Sequence, residues 1–213
     1  MYHILPEYGG KRVGGFHERD VQAINDKNYF SFTVCRNPYA RAVSLWWSTC
    51  RPDLPTEWDH YGFRETVKKY TSFEVFIVWL AGLGKVTNRQ RPAAKVSQTI
   101  WQGGMRLDHF IHIKNLEEEF NALPFVNMPE TGLTLFSNES RYSKKHYTEY
   151  LTPKAIEAVQ KWAFADFKKF GYSLEMDDDR ITYPAGNKTW TQNDRARLVS
   201  SIHHSDAEDR TRL

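Results

Sequence analysis

Arg36, Arg41 and Ser44 carry the clearest chemical signal in the chain. Two guanidinium groups and a hydroxyl close together in sequence suit an anion with several oxygens. Guanidinium offers a planar fork of donors that matches phosphate-like groups, and the hydroxyl adds one more. Arg41 and Ser44 are three residues apart, so a helix would place both on one face.

The flanking residues say which elements hold them. Tyr29 to Cys35 is a run of aromatic and β-branched residues that suits a covered strand. Asn37 can cap a helix, and Pro38 fits the first helical position because its missing N–H would have no helical partner there. The helix then runs through Ala40, Ala42, Leu45 and Trp46. A strand feeding a helix N-terminus makes an anion site, with free N–H groups and the positive end of the dipole facing outward. Arg36 stands at that junction.

The run R-N-P-Y-x-R-x-x-S-x-W, read from Arg36 to Trp46, resembles the 3′-phosphate-binding motif of the sulfotransferases, in particular the carbohydrate O-sulfotransferase families. These take sulfate from 3′-phosphoadenosine 5′-phosphosulfate (PAPS). The resemblance implies that Arg36 and Ser44 hold the 3′-phosphate of the donor, with Arg41 as the second arginine of the motif. At the other end of the chain, YLTPKAIEAVQKWAFADFKKFGY resembles the closing helix of the same families, which ends D-x-x-x-F-G-Y. The likeness spans roughly His17 to Tyr172. The fold it implies is α/β: a P-loop-NTPase-like parallel sheet flanked by helices, with the donor at the C-terminal ends of the strands.

The resemblance also implies roles elsewhere. His17 is the expected general base, since imidazole titrates near neutral pH and an acceptor hydroxyl must lose a proton. Glu18 and Asp20 are alternative bases or could orient the ring. Lys11 is the cation expected at the leaving 5′-phosphate. Arg141 and Lys144 precede the closing helix, where the family closes over the adenine and 3′-phosphate. Gln98 and Trp101 lie in a basic stretch, Lys85 to Arg106, that approaches the acceptor in the family. Each of these cations read on its own is equally a solvated surface group.

One family feature is not evident. Sulfotransferases open with a strand and a loop of the type P-K-x-G-x-T-S around the 5′-phosphosulfate. Pro6 to Arg12 has the proline and glycines but no Thr/Ser pair, and Glu7 stands where a cation is wanted. Gly9 to Gly15 therefore reads as an ordinary flexible loop. Either the loop lies upstream of Met1, the chain being N-terminally truncated, or it is lost. Two functions stay open: sulfuryl transfer from PAPS to a hydroxyl of a carbohydrate-type acceptor, and a degenerate module that binds nucleotide or glycan without turnover. A P-loop nucleotide kinase would need G-x-x-x-x-G-K-[ST], which is absent from the sequence.

The remaining elements form a scaffold. Val21 to Asp26 and Tyr61 to Tyr70 read as helical. Thr71-Ser72-Phe73-Glu74 has the form of a capping box, opening a helix to Leu83 with Phe73, Phe76, Ile77 and Leu80 on its core face. Asp108 to Ile113 alternates and reads as a second strand. Asn115 is placed to cap a helix whose first turn carries Glu117, Glu118 and Glu119, the right sign for that end. His109 and His112 lack further ligands at metal spacing. Thr152 caps the closing helix, Pro153 starts it, Gly171 ends it, and Ile156, Val159, Ala163, Phe167 and Phe170 form its buried stripe.

The bulk numbers fit this picture. With 213 residues, 40% hydrophobic and 15% aromatic, one domain with a real core is expected, over 1–172, followed by a polar tail over 173–213. Lys plus Arg number 29 against 26 acidic residues, so local anion pockets are expected and a nucleic-acid-binding face is not. Cys35 and Cys50 read as reduced and inert. No metal, membrane span or signal peptide is expected. The protein is expected in the cytoplasm, or as a lumenal fragment of a Golgi-type enzyme.

Overall fold

The computed structural model describes residues 31–50, 72–83, 97–99, 107–123, 126 and 146–175. They fall into two compact units. Residues 31–34, 107–123 and 126 belong to the first, and 35–50, 72–83, 97–99 and 146–175 to the second. The secondary structure is mixed, with helices and a small parallel sheet, and the class is α/β.

The first unit is built on strands β1, Phe32–Cys35, and β2, His109–His112, which pair with each other. Cys35 is also the first residue of the second unit. The register is pinned where both strands begin. Ser31 donates to Asp108 Oδ2 from its N–H at 2.9 Å and from its hydroxyl at 3.0 Å. Its carbonyl in turn accepts from the N–H groups of Asp108 and His109. Next to β2 come a 3-10 turn, Ile113–Asn115, and helix α3, Leu116–Asn121. Ile111, Phe120 and Leu123 form the core, with Phe32, Val34, Leu116 and Val126 packed against it. Phe32 meets the edge of the Phe120 ring at 6.1 Å between centroids.

The sequence reading of this unit needs two corrections. The expected strand gives way to a 3-10 turn at Ile113. Asn115 precedes α3 but its side chain makes no cap. Its Nδ2 donates instead to Glu119 Oε1 at 3.2 Å. Glu119 stands in the first turn of α3 as expected, and its carboxylate does more than face the helix end. It is buried, and it binds His112 from both sides of the residue: the His112 N–H at 2.7 Å and the ring Nδ1 at 3.0 Å. A carboxylate that collects three donors outweighs the weaker gain of a side-chain cap.

The second unit packs three helices: α1, Pro38–Cys50; α2, Phe73–Gly82; and α4, Pro153–Phe170. The face of α2 is the expected one, Phe73, Phe76, Ile77 and Leu80, all buried. Each such side chain taken from water contributes roughly 1.5–3 kcal/mol. The cap of α2 is Ser72, which accepts from the Val75 N–H, and Leu83 lies just past the helix. Thr71, the first residue of the expected capping box, lies outside the described residues. The Glu74 carboxylate accepts from the Thr152 hydroxyl. Thr152 thus ties α2 to α4 while capping α4, accepting from the Ala155 N–H at 3.2 Å.

Helix α4 starts on Pro153 and ends on Gly171, whose φ of 72° suits a residue without Cβ. Its backbone departs from helical geometry at Ala163. The buried stripe holds Val159, Ala163, Phe167 and Phe170 as expected, with Ala155, Ala158 and Asp166 as well. Ile156 is only half-buried. The Tyr39 ring packs edge-on against Phe167, 5.0 Å between centroids. Its hydroxyl donates to the Leu174 carbonyl at 2.6 Å, so residues 173–175 dock on the helices. The tail from residue 176 onward and the helices expected at 21–26 and 61–70 lie outside the described residues.

Candidate functional site

The junction between β1 and α1 follows from its sequence. Pro38 has no N–H to satisfy. Asn37 Oδ1 accepts from the N–H groups of Tyr39 at 2.9 Å and of Ala40 at 3.4 Å. The Arg41 N–H makes the first helical bond, to the Asn37 carbonyl. This corrects the expectation of free N–H groups facing outward from the first turn. Those of Tyr39 and Ala40 are taken by the cap. What α1 offers an anion is its dipole and its side chains.

Arg36 leads that set. It is half-buried, and among the described residues no carboxylate forms an ion pair with it. Burial pushes its guanidinium below the ordinary arginine value, and the charge of the nearby Tyr172 partly offsets this. Its backbone is held on both sides by one side chain. The Arg36 N–H donates to Gln98 Oε1 at 2.9 Å, and Gln98 Nε2 donates to the Arg36 carbonyl at 2.8 Å. The next support lies on α4. The Asp166 carboxylate accepts from the N–H groups of Gln98 and Thr99, each at 2.8 Å. Asp166 is fully buried. Cys35, immediately before Arg36, is held through its carbonyl by the Tyr172 hydroxyl at 3.4 Å.

Arg41 lies with its guanidinium over the Trp162 ring, 5.1 Å from the centroid. Burial lowers its pKa to about 10, with Asp166 opposing the fall and the charge of Arg36 adding to it. The two arginines therefore sit in one electrostatic neighbourhood. Ser44, one turn further along α1, is half-buried. The chemistry of this donor set is that of an anion seat: partly desolvated guanidinium groups lose stability by burial, and a bound dianion would return it.

Of the residues singled out from sequence, Arg36, Arg41 and Gln98 come together in the second unit, with Ser44 on the same helix as Arg41. The Gln98 amide bonds to the Arg36 backbone. His17, Lys11, Trp101, Arg141 and Lys144 lie outside the described residues. Sequence reasoning missed the support given by Asp166. Its signal was present: a carboxylate on the apolar stripe of a helix needs donors, because a buried charge without them is costly. Among the described residues no cluster of His, Cys, Asp and Glu is placed to share a metal ion. None of the described helices is long and apolar enough to cross a membrane.

The comparison with protein families matches residues 11–173 to one model, described as the sulfotransferase family. Neither the curated proteins nor the solved structures yield a match. The matched span includes the arginine junction, the Gln98–Asp166 support and the whole closing helix, so the chain belongs to the sulfotransferase family, whose chemistry is transfer of a sulfuryl group to an acceptor hydroxyl.

Proposed function

We propose that this chain transfers a sulfuryl group from PAPS to a hydroxyl of a carbohydrate-type acceptor. The observation that carries the reading is Arg36: a half-buried guanidinium at a strand-to-helix junction, with no carboxylate partner among the described residues and the charge of Arg41 close by. Such a group favours a multiply charged anion, and the 3′-phosphate of the donor fits it. Arg36, Arg41 and Ser44 would hold that phosphate, with Arg141 and Lys144 as further donor contacts. The mixture of helices with a small parallel sheet supports the P-loop-like fold proposed with this reading.

Sulfuryl transfer makes a bond from the acceptor oxygen to sulfur as the bond from sulfur to the bridging phosphate oxygen breaks. The acceptor proton must leave, and His17 is the residue we assign to take it. Charge grows on the departing phosphate, where Lys11 is the candidate cation. Trp101, with an aromatic face suited to a sugar ring, is the acceptor contact we would test first.

Titration with adenosine 3′,5′-bisphosphate, followed by calorimetry, tests the donor half. The wild-type chain should bind, and Arg36→Ala should weaken binding by about a hundredfold, as expected when a charge-assisted bidentate contact is lost. His17→Ala should bind the nucleotide unchanged and lose transfer from PAPS to a glycan acceptor. Absence of binding by the wild-type chain, or equal binding by Arg36→Ala, would remove the basis of the assignment.

A further inference from the structure

We propose that Gln98 and Asp166 are positioning residues for Arg36, forming a relay that fixes the arginine's main chain so that its side chain meets the 3′-phosphate in one orientation. The inference rests on the reading that Arg36 holds that phosphate.

The geometry has two steps. Gln98 reaches the chain on either side of Arg36 Cα, accepting from its N–H and donating to its carbonyl. A single amide that bridges both groups restrains the two dihedral angles between them, which set where the Cβ points. Left alone, Gln98 would be a flexible side chain. Its own backbone, however, is held by Asp166, whose two carboxylate oxygens take one N–H each from Gln98 and Thr99. Asp166 is fully buried, and its charge also acts on Arg41. The carboxylate is thus answered by two N–H donors on one side and by a guanidinium field on the other, which is what a buried charge requires.

This assigns a task to the first letter of the D-x-x-x-F-G-Y ending of α4. Phe170 fills the core, Gly171 supplies the left-handed turn, and Tyr172 reaches the Cys35 carbonyl. Asp166 acts at the other side of Arg36. The helix end therefore steadies the residues before and at the arginine by two separate routes.

The test uses the full chain with Gln98→Leu, Gln98→Glu and Asp166→Asn. Two readouts are taken: hydrogen exchange of the Arg36 amide without nucleotide, and affinity for adenosine 3′,5′-bisphosphate against adenosine 5′-monophosphate. Gln98→Leu removes both bonds to Arg36. It should speed exchange of the Arg36 amide and weaken the bisphosphate by about tenfold, with the monophosphate little changed. Gln98→Glu keeps the acceptor for the Arg36 N–H and should recover part of both. Asp166→Asn keeps one acceptor oxygen and should fall between wild type and Gln98→Leu. Faster exchange in a chain whose wild type binds no bisphosphate would uphold the relay while sinking the donor assignment. Unchanged exchange, or equal loss of both nucleotides, would overturn the inference.

Discussion

His112 and Glu119 form a buried ion-pair geometry inside the first unit, with Nδ1 3.0 Å from the nearer carboxylate oxygen. Burial pushes the Glu119 carboxyl up, but hydrogen bonds from the His112 ring and backbone and from Asn115 outweigh it, and the group ends below its ordinary value of 4.5. A carboxyl lowered on folding adds stability that is complete above the unfolded value and is lost as pH falls below about 4.5, through the lower folded value. Glu119→Ala strips three donors of their acceptor and should cost about 3 kcal/mol at neutral pH. Thermal melts from pH 3 to 7 should show that the wild-type advantage over this variant shrinks only at the acid end.

His109 predicts a separate step at higher pH. Burial lowers its pKa below 6.5; Glu119 opposes that shift and His112 adds to it. Between the folded and unfolded values the unfolded chain binds the extra proton. Stability is therefore complete above about pH 6.5 and declines as pH falls through that region. In His109→Asn the melting temperature should stay level from pH 7 to 5.5, where the wild type drops. An identical drop in the variant would assign it to other groups.

Arg41 sets an alkaline limit on donor binding if it shares the phosphate with Arg36. Its guanidinium has been brought down to about 10, first by burial and then by Arg36, against the pull of Asp166. It is fully charged at neutral pH and loses its proton as pH approaches 10. Affinity for adenosine 3′,5′-bisphosphate should hold from pH 7 to 8.5 and fall toward pH 10. Arg41→Leu should bind more weakly at pH 7, and its curve should be flat over the same range.

Thr152 links two helices through one hydroxyl, which accepts from the Ala155 N–H and donates to Glu74. Thr152→Ala loses the cap and leaves Glu74 without that donor. It should cost about 1 kcal/mol, the usual worth of an N-cap, read from urea denaturation. Thr152→Ser keeps the hydroxyl and should recover most of the loss. Equal destabilisation by both variants would mean that the methyl group, not the oxygen, carries the effect.

What the sequence made legible was local. Asn37 before Pro38, and Thr152 before Pro153 with Gly171 at the far end, each announce a helix boundary within a few residues, and each stands where expected. The core face of α2 follows from spacing alone. What stayed hidden was the destination of polar side chains. Asn115, Glu74 and Glu119 all had plausible partners close by in sequence. Asn115 turns its amide to Glu119, Glu119 takes the N–H and ring of His112, and Glu74 takes the hydroxyl of Thr152, 78 residues along the chain. Gln98 and Asp166 belong to the same class, since their partners are far along the chain. Periodicity reports which face is buried, but not which distant group a buried polar atom will meet.

Cys35 has no exposed surface and directly precedes the arginine on which the donor reading depends. A thiol so placed reacts with an alkylating reagent only when the surrounding packing opens. In a Cys50→Ser background its rate of modification becomes a clock for breathing motions at that junction. A nucleotide that seats itself on Arg36 should slow the clock, giving a chemical report of occupancy that needs no acceptor and no turnover.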